Sequence, residues 1–285
     1  MSTTRTTPNE SLSEADSNTL VRRLQTLGFW GLLANWTEVK SAPWLETLVA
    51  YEQAERARRS LERRQRSARI GTFKLMADFD WLWPTKIDRQ AIEDKLTSQF
   101  IPEGSNVVLY GSNGVGKTMI EQNIAFEALR HGYTVRFTTA SDMLLELAAQ
   151  DSSASLNRRV TRYVQPALLC IDELGYLSYD SRYADLLFEV VTRRYKAKKS
   201  IVLTTNKRFA EWPQVFPNAA CVVTLVDRLL HRCECIDIDA QSYRLKEAQQ
   251  REDARTKARA IRRKNNNSRA SDPTQMPLAS KEPNP

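Results

Sequence analysis

The chain has 285 residues, room for a full nucleotide-binding domain plus one smaller unit, and 41% hydrophobic residues with only 9 glycines allow a sizeable core. Its formal charge of +8 is concentrated: residues 56–69 hold seven Arg against one Glu and residues 251–269 hold eight Lys/Arg against two acids, leaving about −4 elsewhere, which suggests a polyanionic partner such as nucleic acid, the plainer alternative being solvated helix faces and a loose tail. The stretch MSTTRTTPNESLSEAD has no apolar core for a signal peptide, and no apolar run approaches the ~18 residues of a membrane span, so a cytoplasmic protein with no membrane partner is expected.

Residues 1–16 are polar and expected to be flexible. Residues 17–70 predict a small all-helical N-terminal domain. Leu20, Val21, Leu24 and Leu27 recur at helical spacing before Gly28, a short helix carries Phe29, Trp30, Leu33 and Trp36, and a longer one after Pro43 runs from Trp44, Leu45, Leu48 and Val49 into ARRSLERRQRSAR. The tryptophans are read as core or partner-helix contacts rather than base-stacking platforms. After Gly71, FKLMADFDWLWP has aromatics without a period and reads as a connector packed on the next domain. Residues 87–100 predict one helix, with Ile92, Leu96 and Phe100 four apart.

From residue 106 short apolar runs alternate with helical stretches: NVVLY, 117–131, TVRFTT, 142–150, PALLCID, 182–197 and SIVLTTN. This alternation predicts an α/β fold, a parallel sheet covered by helices, with ligand at the carboxyl ends of the strands. The domain is placed at 71–248, followed at 249–285 by a basic tail expected to be disordered. Cys170 and Cys221 lie in apolar runs, and Cys233 and Cys235 would share one face of a strand. With only two histidines, His131 and His231, no zinc site is expected.

The stretch Gly111-Ser112-Asn113-Gly114-Val115-Gly116-Lys117-Thr118 matches G-x-x-x-x-G-K-[ST] between an apolar run and a helix. Its glycines let backbone N–H groups turn inward onto phosphate oxygens, and the helix start adds a positive end. Lys117 would reach the β and γ phosphates, and Thr118 would hold Mg²⁺ through its hydroxyl. Asp172, ending the buried run LLCI, is the second candidate metal ligand, and Glu173 is the candidate to polarise an attacking water. Asn206 at the end of SIVLTTN is either a sensor of the γ phosphate or ordinary turn chemistry.

These residues resemble the IstB-like ATPases, transposition helpers of bacterial insertion sequences and relatives of the DnaC-type helicase loaders within the AAA+ class. The resemblance runs from the N-terminal helices to about residue 247 and rests on ADFDW, GSNGVGKT, RFTTASDML, LLCIDELGYL, IVLTTNKRFAEWPQVF, DRLLHR and QSYRLKE. It implies a P-loop AAA+ ATPase domain, with Asn206 as first sensor, Arg228 of DRLLHR as an arginine finger reaching a neighbouring subunit, and Arg244 of SYR as second sensor. Read from the residues alone, either arginine would be an ordinary surface or salt-bridge residue.

A protein of this kind is expected to bind ATP and Mg²⁺, form a homo-oligomeric ring or spiral on duplex DNA, and present that platform to a partner transposase. Arg158, Arg159 and Arg162 are candidate phosphate contacts, a solvated helix face being the alternative. The basic N-terminal helix is a candidate for touching DNA, a sister subunit or the transposase. A helicase loader is the runner-up function. A small-molecule P-loop kinase, or a DNA-binding protein with a dead nucleotide site, fits the residues less well.

Overall fold

The computed structural model describes residues 14–175, 181–216 and 220–270. Leu20, Leu24 and Leu27 form the buried stripe of α1 (Glu14–Leu27). The short helices α2 (Trp30–Ala34) and α3 (Trp36–Val39) lead to α4 (Leu45–Ala68), whose Leu45 and Val49 close the same small core. Trp36 packs against that core. Trp30 and Trp44 do not, at 67% and 49% exposure, because they fall outside the buried leucine stripe. The far end of α4 leaves this unit: Leu61 and Ala68 join the core under the sheet, and Arg64 Nη2 donates to Leu129 O at 3.1 Å.

The single helix expected at 87–100 is broken. Asp88 caps α5 (Arg89–Leu96) by accepting from the Ala91 N–H, but Ser98 adopts φ +64° before α6 (Phe100–Glu103). A left-handed residue cannot continue an α-helix.

Beyond it the apolar runs form β1 (Asn106–Gly111), β2 (Val135–Thr139), β3 (Leu168–Leu174), β4 (Ser200–Thr205) and β5 (Cys233–Ile238). They assemble in the order β2-β3-β4-β1-β5, each pair parallel. All six residues of β4 are buried, as a strand covered on both faces requires. The intervening helices are α7 (Lys117–Arg130), α8 (Ala140–Ala148), α9 (Ser153–Val164), α10 (Ser181–Lys196), α11 (Trp212–Val215) and α12 (Val222–Leu230). One core joins α7, the connector and the end of α4 to one face; the other joins α8, α9, α10 and α12 to the opposite face. The predicted fold class, a helix-covered parallel sheet with a helical N-terminal unit, is what the structure shows. Among the described residues no helix is long and apolar enough to cross a membrane.

Arg194 of α10 is wholly buried and donates to the carbonyls of Tyr163, Pro166, Ala167 and Ser200 at 2.5–3.0 Å, tying the end of α9 to the start of β4. Burial pushes its guanidinium down to about 9.

The last helix, α13 (Tyr243–Ala270), crosses the boundary placed at 248/249. Residues 249–270, expected to be disordered, are helical, because their Ala, Arg, Lys, Glu and Gln content favours a helix even without a core to pack on. Residues 251–260 are all exposed. The expectations for residues 1–13, for the end of LLCIDELGYL from 176 and for the tail from 271 lie outside the described residues.

Candidate nucleotide site

Gly111 ends β1 and Lys117 begins α7, so residues 112–116 must turn between a buried strand and a buried helix. Gly114 and Gly116 do so at φ +81° and +101°, and a β-carbon at Gly116 would stand 2.8 Å from the Phe79 ring. Val115 anchors the turn in the core, Ser112 Oγ donates to Ala240 O at 3.3 Å, and Asn113 is exposed at the bend. Lys117 Nζ folds back onto the carbonyls of Gly111 and Ser112 at 2.8 and 2.7 Å. Burial pushes its ammonium down to about 8; the neighbouring Arg244 charge acts in the same sense, while Asp172 and Glu173 oppose it.

The acidic strand lies alongside. Thr118 Oγ1 donates to Asp172 Oδ1 at 3.1 Å, and Thr204 Oγ1 donates to the same oxygen at 2.5 Å. Pairing of β3 with β4 then slips between Ile171 and Leu174, and Glu173 takes φ +63° with its N–H on Thr204 Oγ1 at 2.8 Å. A non-glycine residue held left-handed at a bulge is a local strain of about 1–3 kcal/mol, the kind that re-aims one side chain. Here Glu173 lines the same cavity as the glycine loop. Asn206 follows β4 directly, between the strands that carry the loop and the acids, and its buried Oδ1 has no hydrogen-bond partner among the described residues. An amide oxygen left unpaired at this point suits a water or ligand donor.

Thr118 Oγ1 and the Asp172 carboxylate are adjacent hard oxygen donors, the set that suits magnesium held by few protein ligands. Sequence reasoning missed Glu121, one turn beyond Thr118. It is completely buried, and that burial, and then the Asp172 charge, push its carboxyl well above the usual range.

The cavity measures about 440 Å³ and has walls that the motif did not announce. One wall is the connector, through Phe73, Phe79 and Trp83; another is Tyr243 and Arg244 at the start of α13. Asn123 of α7 pins the connector by donating to Lys74 O at 2.9 Å and accepting from the Met76 N–H at 2.8 Å. The root of α13 is clamped by Tyr243 N–H on Gly114 O at 2.9 Å, Lys246 on Asp80 at 2.9 Å and Lys74 on Glu247 at 2.7 Å. The only sequence signal for the aromatic wall was a dense run of Phe and Trp with no helix or strand period.

Arg228 stands apart. It lines a separate cavity of about 230 Å³ at the amino ends of β1 and β4, with Lys196, Lys198, His231 and Arg232. Its guanidinium bonds Thr192 Oγ1 and lies 4.8 Å from the Phe188 ring centroid. Arg159 and Arg162 sit on α9, where both pair with Glu146 of α8, at 2.9 and 3.6 Å. Arg158 is exposed on the same helix. None of these arginines lines the loop cavity.

Residues 26–251 match the family described as IstB-like ATP binding protein. The chain is 31% identical over 227 residues to the ATP-binding protein of insertion sequence IS5376 from Geobacillus stearothermophilus, covering 79% of this chain and 90% of that one. It is 33% identical over 192 residues to its counterpart in insertion sequence IS21 of Pseudomonas aeruginosa, covering 67% and 72%. Among solved structures, DnaI aligns with a TM-score of 0.48 at 18% identity, covering 61% of this chain and 90% of that one.

Proposed function

Because the chain belongs to the family of IstB-like ATP-binding proteins, we propose that it is the ATP-hydrolysing helper of an insertion sequence, which assembles on duplex DNA and governs target choice or activation of a partner transposase. The observation that carries this reading is the division of residues between the two ends of the sheet. Lys117, Thr118, Asp172 and Glu173 meet at one end, and Arg228 stands at the other, outside the lining of its own subunit's nucleotide cavity. Such a division suits a site completed by a second copy of the chain.

Within one subunit, Lys117 and the loop N–H groups hold the phosphates, and Phe73, Phe79 and Trp83 offer apolar faces for the base. A magnesium ion at Thr118 and Asp172 would neutralise charge on the β and γ phosphates. Glu173 orients the attacking water and accepts its proton, Asn206 offers its unpaired amide to the same region, and Arg244 adds positive charge from α13. A neighbour's Arg228 would stabilise charge on the transferring phosphoryl group. Hydrolysis then times how long the assembly holds DNA, and strand chemistry belongs to the transposase. The IS5376 and IS21 relatives favour this over helicase loading.

The test is Glu173→Gln. ATP binding should persist, turnover should fall by about 10²-fold or more, and assemblies should linger on DNA. Normal turnover in that variant would sink the proposal.

A further inference from the structure

The two basic clusters are not equivalent once folded. In α4, Arg56 pairs with Glu52, Arg58 with Glu55 and Glu62, and Arg59 with Glu55, while Arg64 is spent on Leu129 O. Arg63, Arg66 and Arg69 are exposed with no acidic partner among the described residues, so α4 is neutralised in part. In α13 the only ion pair beyond the clamped root, among the described residues, is Arg251 with Glu247 at 3.7 Å. Arg255, Lys257 and Arg259 are exposed and have no acidic partner among the described residues. The family match stops at residue 251, so the eight Lys/Arg against two acids of residues 251–269 lie almost wholly beyond it.

With no buried face, residues 251–260 hold their helix on propensity alone, and like charges along it lower its stability. A polyanion removes that repulsion. The root of this helix is already fixed by Tyr243 on Gly114, Lys246 on Asp80 and Lys74 on Glu247, which lowers the ordering cost of docking the residues beyond it.

We propose that α13 beyond residue 250 is a DNA-docking arm, which sets Arg255 and Arg259 on one face, and Lys257 on the opposite face, against backbone phosphates without reading sequence. This rests on the DNA-binding part of the function proposed above. It places the contact on the helix whose root walls the nucleotide cavity, so phosphate contact and nucleotide occupancy share one element.

The experiment compares the full chain with the triple variant Arg255→Gln, Lys257→Gln, Arg259→Gln. Binding to a 30-base-pair duplex of arbitrary sequence is followed by fluorescence anisotropy from 50 to 300 mM KCl, with Mg²⁺ and a non-hydrolysable ATP analogue. Three lost phosphate contacts should reduce the slope of log K against log salt by about 2–3. Affinity for the analogue and the thermal melting temperature should stay unchanged, since the three side chains touch neither cavity nor core. A variant that binds DNA with the same affinity and slope as the full chain overturns the arm and leaves the DNA reading standing, as expected if α13 serves an acidic protein surface instead. No binding by the full chain at 50 mM KCl overturns the DNA reading and the arm with it.

Discussion

The burial of Lys117 makes ATP affinity depend on pH in a defined direction. Without nucleotide its ammonium is pushed down to about 8, because the side chain is buried and Arg244 adds like charge. A bound polyphosphate favours the charged form and returns the group toward its ordinary value near 10.5, so above pH 8 binding must draw in a proton. With those two values the apparent affinity falls about twofold by pH 8 and about tenfold by pH 9, a loss of about 1.4 kcal/mol. Proton uptake should rise from about 0.1 per nucleotide at pH 7 to about 0.9 at pH 9. Isothermal titration calorimetry with a non-hydrolysable analogue, in buffers of different ionisation enthalpy, reads both quantities. Lys117→Gln should bind weakly and lose the pH dependence. Flat affinity and no added proton uptake between pH 7 and 9 in the unaltered chain would refute the reasoning. The sign for folding is opposite: a lysine whose folded value is depressed penalises the nucleotide-free fold below pH 8, and the penalty lifts as pH rises from 8 toward 10.5.

Gly116→Ala forces a β-carbon onto Phe79 at a φ of +101°. It should cost about 1–3 kcal/mol and lower Tm by roughly 3–10 °C, with nucleotide binding lost, as read by a melt with and without ATP. Arg194→Leu leaves the carbonyls of Tyr163, Pro166, Ala167 and Ser200 without their buried donor. Denaturant unfolding should show a loss of about 3 kcal/mol or more; a midpoint unchanged from the parent would show that those carbonyls find other donors.

The central sheet was legible because parallel strands covered on both faces carry continuous apolar runs, as β1 does in VVLY, β3 in LLCI and β4 in IVL. The edge strand β5 was not placed in it: CECIDI buries only Ile236 and Ile238, so it lacks that continuous signal. The meeting of the glycine loop, Thr118 and Asp172 was legible from spacing, since a strand–G-x-x-x-x-G-K-[ST]–helix pattern leaves few alternatives for where those residues sit. The aim of Glu173 was not, because it depends on a register slip between β3 and β4 that no local pattern encodes. The connector was read as packing, which is correct for Phe73, Met76 and Phe79, but its second role as a cavity wall arises only when Asn123 pins it across α7. For α13, composition rightly indicated a segment without a core and wrongly indicated one without a helix, since helix propensity does not require burial.

Helix α4 belongs to two cores at once: Leu45 and Val49 close the N-terminal one, and Leu61 and Ala68 sit beneath the nucleotide domain. The turn at residues 69–71 is therefore not the seam along which the chain divides. A chimaera that exchanges the N-terminal helices between relatives has its natural splice inside α4, between Val49 and Leu61. Each residue inserted or deleted there would swing the grafted head by about 100° around the helix axis. Relatives that differ in the length of this stretch would hold the same head at a different angle to the nucleotide-binding sheet, which makes the spacing of α4 a dial for the direction that head faces.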